Sequence, residues 1–176
     1  MVFSGSGGQG VITASIILSE AAVLYDNLNA VQSQSYGAEA RGGATRADVV
    51  LSDSIIHFPK VIQPNVLVCL TQAAYGKFYP IIRPGGVLIT DPRFVQTEKK
   101  VDAQQKEVKM YETIMAEIGK PIVFNICMLG AVIGLTGLVK PESIMKSLEN
   151  RIPADFLEMN RKALDIGIKL GEAAKN

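Results

Sequence analysis

Hydrophobic and polar positions along the chain alternate between blocks suited to strands and blocks suited to helices. Short apolar or alternating runs predict strands, and longer runs with helical spacing separate most of them. A strand, a helix and another strand in this order imply parallel strands joined by right-handed crossovers. We therefore expect an α/β fold with a mostly parallel sheet. The predicted strands cover residues 1–3, 29–34, 46–51, 66–70, 86–90 and 108–111.

The predicted helices should lie on both faces of that sheet, with a Rossmann-like start and a helical C-terminal end. The first, over 11–24, carries one charged residue, Glu20. A helix so apolar should be covered by its own sheet and by a second element, for which another subunit is one candidate. The long apolar run that ends near 139 contains Asn125 and three glycines, which predicts a buried helix rather than a membrane span. The remaining helices cover 73–79, 112–118, 123–137, a segment opened by Pro141, and 153–174.

Composition narrows the class of protein. With 176 residues, 48% of them hydrophobic, the chain suits one compact domain over 1–176. A net charge of +1 gives no field to attract nucleic acid or an anionic membrane, so we expect neither as a partner. Cys69 and Cys127 lie in apolar runs, as buried reduced thiols do, and no secretion signal is evident at the start. These features favour a cytoplasmic protein.

The most informative stretch is the glycine loop, residues 4–10, which reads Ser-Gly-Ser-Gly-Gly-Gln-Gly. It stands between a short apolar lead and a long helical pattern. Such a sequence predicts a strand that turns sharply and exposes backbone N–H groups at a helix N-terminus, where partial positive charge gathers. We therefore expect a phosphate- or pyrophosphate-binding loop formed by Gly5, Ser6, Gly7, Gly8, Gln9 and Gly10.

The glycine loop departs from the two common phosphate-binding patterns. Gly5, Gly7 and Gly10 have the G-x-G-x-x-G spacing of a dinucleotide-binding fold. That fold also uses an acidic residue about 20 residues further on to hold a ribose, whereas residues 29–34 contain no carboxylate. No Lys-Ser/Thr pair follows Gly10, so a P-loop is excluded. The alternative to an anion site is that the glycines only let a strand and a helix pack closely.

Four side chains are further candidates for chemistry. Arg41 and Arg46 flank two glycines in a loop expected beside the glycine loop, where they could clamp a phosphate or form an intersubunit ion pair. His57 is the only histidine, and we expect a structural role for it. Asp91 ends a strand, where α/β folds place functional residues, although a turn aspartate is the favoured interpretation. No group of residues has the spacing of metal ligands.

Several motifs together resemble the gamma subunit of 2-oxoacid:ferredoxin oxidoreductases. The resemblance covers nearly the whole chain, and its most specific part is Ser-Tyr-Gly-x-Glu-x-Arg-Gly-Gly at 35–43. The stretch 41–50 looks closer to the 2-oxoglutarate type than to the pyruvate type. The other matching segments are the glycine loop, the strand at 47–53, Pro84-Gly85-Gly86 with Asp91, Asn125 with 129–131, and Asn160 with Ala163 and Gly167.

The resemblance implies a division of labour among subunits. Enzymes of this family decarboxylate a 2-oxoacid on thiamine diphosphate, pass electrons through iron–sulfur clusters to ferredoxin, and release an acyl-CoA. This chain has no Gly-Asp-Gly thiamine signature and no cluster ligands. Thiamine diphosphate and the clusters are therefore expected on the alpha, beta and ferredoxin-like delta partner subunits. The gamma-type domain is associated in the family with coenzyme A and with assembly.

Coenzyme A is accordingly the candidate ligand of the glycine loop, because its pyrophosphate and 3′-phosphate suit backbone amides and a guanidinium. We expect no catalytic residue and no metal site in this chain, and no activity without its partners. Two alternatives stay open at this point. The chain could be a free-standing nucleotide- or flavin-binding module, or a purely structural subunit whose glycines serve packing.

Overall fold

The computed structural model describes residues 1–35, 44–98 and 100–175. Six strands form one sheet in the order β2-β3-β1-β4-β5-β6. Strand β3 runs antiparallel to both of its neighbours, while β1, β4, β5 and β6 are mutually parallel. The expected mostly parallel sheet is thus confirmed. The strands are β1 (Val2–Gly5), β2 (Asn29–Ser35), β3 (Thr45–Ser52), β4 (Val66–Cys69), β5 (Gly86–Thr90) and β6 (Ala103–Glu107).

Helices cover both faces of the sheet. Side chains of the central strands point alternately to one face and the other, and on both faces they are apolar and must be buried. Leu67 and Cys69 of β4 pack with the second helix, whereas Val68 joins the larger cluster that contains the other five helices. The expected helices on both faces and helical C-terminal end are confirmed. The helices are α1 (Val11–Tyr25), α2 (Gln72–Phe78), α3 (Met110–Glu117), α4 (Phe124–Thr136), α5 (Pro141–Arg151) and α6 (Ala154–Ala173).

The second element that covers α1 is α5 of the same chain. Arg151 of α5 forms an ion pair with Glu20 of α1. Asp26, which follows α1, accepts hydrogen bonds from the Ser143 hydroxyl and the Lys140 N–H, both at 2.7 Å. Helix α5 therefore covers part of α1 from within the chain, whereas Val23 and Leu24 near the end of α1 stay 47% and 61% exposed.

The expected strand at 108–111 is wrong. The sixth strand is β6 (Ala103–Glu107), and α3 begins at Met110. Val108 and Met110 are buried where the chain passes from the sheet into α3, and this burial accounts for their apolar character. Strand β6 itself lies at the edge of the sheet, so its sequence Ala-Gln-Gln-Lys-Glu is mostly polar and gives a weak strand signal.

Helices α4 and α6 pack with their backbones in direct contact. A methyl group added at Gly167 of α6 would lie 2.0 Å from the Cys127 carbonyl oxygen of α4, and one added at Gly130 would lie 2.4 Å from the Leu164 carbonyl oxygen. Gly134 and Gly171 make equivalent contacts further along.

Within the described ranges, no helix has the length and apolar character that crossing a membrane requires.

Candidate functional site

The glycine loop joins the end of β1 to the start of α1 through a tight turn. The Gln9 N–H donates to the Ser6 carbonyl at 3.3 Å and closes a four-residue turn. Gly8 has φ of +89° and Gly10 has φ of +70°. Side chains disfavour this left-handed backbone, whereas glycine adopts it at little cost. The loop therefore requires glycine at two positions for its backbone alone.

The N-terminus of α1 is open. Its N-cap residue, Gly10, provides no side chain, and the first turn of the helix holds no acidic residue. The first helical hydrogen bond runs from the Ala14 N–H to the Gly10 carbonyl at 3.0 Å. Among the described residues, none accepts a hydrogen bond from the backbone amides of residues 11–13. These amides and the helix dipole together form an end that favours an anion.

A cavity of about 670 Å³ lies against this open end. The glycine loop and the first turn of α1 form one wall, and the start of β3 and the end of α2 form the other. Arg46 reaches the cavity because β3 runs antiparallel to β1 and pairs it with Ser4, just before the loop. The structure thus brings Arg46 and the glycine loop to one cavity, as the sequence suggests.

The guanidinium of Arg46 has partners within the chain. Its Nε donates to Asp48 Oδ1 at 2.6 Å, and Nη2 donates to Asp48 Oδ2 at 2.9 Å and to the Val61 carbonyl at 2.6 Å. Both charged side chains are largely buried, so Asp48 offsets part of the positive charge beside the cavity. Binding of a phosphate by Arg46 stays a prediction. The other predicted arginine, Arg41, lies outside the described residues, as do Tyr36 and Glu39 of the same motif.

The cavity also includes two side chains for which the sequence gives no signal. Lys77 and Phe78 end α2 and line the wall opposite the glycine loop. The Lys77 ammonium lies 5.5 Å from the centre of the Phe78 ring, and the Arg46 guanidinium lies 5.6 Å from it. A basic residue in the last turn of a short helix is ordinary. Only the tertiary structure shows that this one borders the cavity.

Two of the loop glycines also make close contacts. A methyl group at Gly5 would lie 2.5 Å from Gln9 Oε1, and one at Gly10 would lie 2.7 Å from the Asn125 side chain. In contrast, nothing lies within 4 Å of a methyl group placed at Gly8. Close packing therefore explains why position 5 is glycine and is one reason for glycine at position 10. It does not explain the glycine at position 8.

Asp91 holds two backbone segments together. It is fully buried, and its carboxylate accepts hydrogen bonds from the Arg93 N–H at 2.9 Å and the Tyr111 N–H at 2.7 Å. Burial raises the pKa of Asp91, although these hydrogen bonds partly oppose the shift. The arrangement agrees with a turn aspartate that also caps α3. His57 is exposed in the connection between β3 and β4.

The two cysteines are free and buried. Burial raises the pKa of both the Cys69 and Cys127 thiols to about 12, so neither forms a thiolate nucleophile near neutral pH. Over the part of the chain that the structure describes, no three His, Cys, Asp or Glu side chains are grouped to hold a metal ion. The two cysteines are therefore buried packing residues, and the open end of α1 is the feature suited to an anionic ligand.

Known proteins with similar sequences and structures agree with this description. A 2-oxoglutarate synthase subunit KorC from Methanocaldococcus jannaschii is 47% identical over 171 residues, which cover 96% of this chain and 91% of that protein. The crystal structure of a keto/oxoacid ferredoxin oxidoreductase gamma subunit from Geobacter sulfurreducens superposes with a TM-score of 0.88 at 42% identity, and covers 98% of both chains.

A more distant structure shares the fold. It is a 2-oxoglutarate:ferredoxin oxidoreductase from Magnetococcus marinus with 2-oxoglutarate, coenzyme A and succinyl-CoA bound. It superposes with a TM-score of 0.87 at 21% identity, and covers 98% of this chain and 30% of that one. The family model described as pyruvate ferredoxin/flavodoxin oxidoreductase matches residues 1–170. The chain therefore belongs to the pyruvate ferredoxin/flavodoxin oxidoreductase family.

Proposed function

We propose that this chain is the gamma subunit of a 2-oxoglutarate:ferredoxin oxidoreductase and binds the phosphate groups of coenzyme A. The relative from Methanocaldococcus jannaschii, whose name is 2-oxoglutarate synthase subunit, supports the choice of 2-oxoacid. The relative from Magnetococcus marinus was solved with 2-oxoglutarate, coenzyme A and succinyl-CoA, which supports the choice of ligand. These names favour an oxidoreductase subunit over a free-standing nucleotide- or flavin-binding module.

In the proposed reaction, 2-oxoglutarate loses carbon dioxide and its succinyl group is transferred to the thiol of coenzyme A. The two electrons released reduce two ferredoxins. The alpha, beta and ferredoxin-like delta subunits hold thiamine diphosphate and the iron–sulfur clusters in this proposal. The gamma chain supplies no reacting group; it contributes to subunit assembly and binds the part of coenzyme A that does not react.

The open N-terminus of α1 beside the cavity is the observation that carries this proposal. Backbone amides and a helix dipole suit a pyrophosphate. Arg46 and Lys77 line the opposite wall of the same cavity, where cationic side chains can interact with a further phosphate. No carboxylate occurs in β2 (Asn29–Ser35) to hold the ribose of a dinucleotide.

The free cysteines support a reducing compartment, and we propose that the complex is cytoplasmic.

Co-purification of the chain from its native host, followed by identification of its companions, tests the proposed partners. Isolation of the chain without alpha and beta subunits would contradict the assembly.

The phosphate role is tested by comparing coenzyme A with pantetheine, which has the same thiol but lacks the whole 3′-phospho-ADP portion, phosphates and adenosine together. The reconstituted complex is assayed with 2-oxoglutarate and a ferredoxin surrogate. We expect kcat/KM to be about 100-fold lower with pantetheine, which corresponds to about 2.7 kcal/mol of binding to the 3′-phospho-ADP portion. Equal kcat/KM values for the two thiols would overturn the phosphate role. Turnover by the gamma chain alone would overturn the division of labour.

A further inference from the structure

The side chain of Gln9 is hydrogen-bonded to two separate parts of the backbone. Its Oε1 accepts a hydrogen bond from the Ser6 N–H at 2.8 Å, and its Nε2 donates to the Leu70 carbonyl at 3.2 Å. Leu70 follows β4 and is itself bound, through its N–H, to the Ser4 carbonyl at 2.9 Å. Gln9 therefore links the start of the glycine loop to the ends of β1 and β4.

The site that receives the Gln9 carboxamide depends on Gly5. A methyl group at Gly5 would come within 2.5 Å of Gln9 Oε1, a distance far below van der Waals contact. The carboxamide can thus lie against the backbone of β1 only because position 5 has no side chain. Gly5 and Gln9 form one structural unit, although the G-x-G-x-x-G pattern includes only the glycine.

Gln9 does not line the larger cavity. Ser6, Gly7, Gly8 and Gly10 line that 670 Å³ cavity. Gln9 borders a separate cavity of about 230 Å³ behind the loop. Any effect of Gln9 on a ligand in the larger cavity must therefore be transmitted through the loop backbone.

We propose that Gln9 is a positioning residue that holds the loop amides toward the phosphates of coenzyme A, an inference that rests on the proposed function. Holding the loop in one shape lowers the entropy cost of ordering it when the ligand binds. A carboxamide suits this role because it is neutral and both accepts and donates. A carboxylate could accept from Ser6 but could not donate to Leu70, and its charge would oppose an anion nearby.

Gln72 provides a matched control. Its Oε1 accepts from the Gln96 N–H at 2.8 Å and its Nε2 donates to the Gln96 carbonyl at 3.2 Å, so its carboxamide also accepts from one backbone group and donates to another, here on a single residue. Gln72 does not line the 670 Å³ cavity. Gln72→Glu therefore imposes the same chemical change on the chain without affecting the glycine loop.

The experiment compares Gln9→Glu, Gln9→Ala and Gln72→Glu in the reconstituted complex, with KM and kcat measured for coenzyme A and for pantetheine. Gln9→Glu should raise the KM for coenzyme A by about tenfold, equivalent to about 1.4 kcal/mol, with kcat and the KM for pantetheine unchanged. Gln9→Ala, which adds no charge, should give a smaller rise of the same kind. Gln72→Glu should change neither KM.

Other results of this experiment would contradict either the role of Gln9 or the proposed function, and they can be told apart. If the wild type prefers coenzyme A to pantetheine but the Gln9 variants leave the KM for coenzyme A unchanged, the role of Gln9 is wrong while recognition of the 3′-phospho-ADP portion stands. Equal rises in both KM values would show a merely structural residue. If the wild type has no preference for coenzyme A, the proposed function itself fails. Should Gln9→Glu not assemble, Gln9→Ala decides between these outcomes.

Discussion

Two regions of this chain are rich in glycine, and Gly8 in the first serves the opposite purpose to the packed glycines of the second. In the glycine loop, Gly8 has a positive φ and open space around it, so the missing side chain leaves room beside the backbone. In the contact between α4 and α6, Gly130 and Gly167 have ordinary helical backbones and no space, because the neighbouring helix occupies it. The comparison shows that glycine content identifies neither a binding site nor a packing site until the surroundings are known.

The largest expected effect is at the packed region. Gly167→Ala would place a methyl group 2.0 Å from the Cys127 carbonyl oxygen, so the two helices must separate. We expect the free energy of unfolding to fall by about 3 kcal/mol, the upper part of the range for overpacked cores. Urea unfolding of the full chain measures this value.

Gly76→Ala in α2 is the control for that substitution. Gly76 is also helical, but nothing lies within 4 Å of a methyl group there. The change should stabilise the chain by about 0.5 to 1 kcal/mol, because alanine has the higher helix propensity. Similar losses of stability at positions 76 and 167 would contradict direct backbone contact as the cause.

A smaller loss of stability, accompanied by a functional change, is expected in the glycine loop. Gly8→Ala forces a side chain onto a φ of +89°, which should cost about 1 kcal/mol. In the complex it should also raise the KM for coenzyme A by about tenfold, since distortion of the turn moves the amides by which an anion is bound.

Gly85→Ala separates backbone strain from function. Gly85 has φ of +73° and is equally open, but it precedes β5 at the amino ends of the parallel strands, whereas the glycine loop follows the carboxyl end of β1. This variant should lose the same stability and keep the wild-type KM. A rise in KM for both variants would assign the effect to general destabilisation.

The smallest expected effect is a difference in thiol reactivity in the Gly167→Ala variant. Cys69 reports on the region of the glycine loop, and Cys127 reports on the contact between α4 and α6. Cys69 lies beneath the loop and is hydrogen-bonded to the Ser4 hydroxyl at 3.4 Å, whereas the Cys127 carbonyl contacts Gly167. With pKa values of about 12, both should resist iodoacetamide at pH 8 in the wild type. In Gly167→Ala we expect slow alkylation of Cys127 alone, detected by mass spectrometry. Equal labelling of both cysteines would indicate global unfolding instead.

The sequence predicts this fold well where burial produces a strong pattern. The predicted helix at 11–24 and the observed α1 (Val11–Tyr25) differ by one residue, and β5 (Gly86–Thr90) has the predicted bounds. Strand β6 was missed because an edge strand can be polar on both faces. The antiparallel direction of β3 is also absent from local patterns, since strand direction depends on pairing between distant segments.

The candidate site could be predicted only as far as the backbone determines it. Consecutive glycines before an apolar helix indicate an exposed helix N-terminus, and the structure has one. Lys77 was not predicted because α2 reaches the cavity through tertiary packing. The role inferred for Gln9 was not predictable either, because a polar residue among glycines looks like any solvated loop residue, and its bond to Leu70 spans 61 positions.

The reversed direction of β3 has a consequence for changes within the strand itself. Arg46 is held beside the cavity by its register with Ser4, and the Asp48 carboxylate that it contacts lies two residues further along the same strand. Because successive side chains of a strand point to opposite faces, a slip of β3 by one residue would carry both charges to the other face of the sheet. Deletion of a single residue within β3 would therefore remove this cation from the cavity.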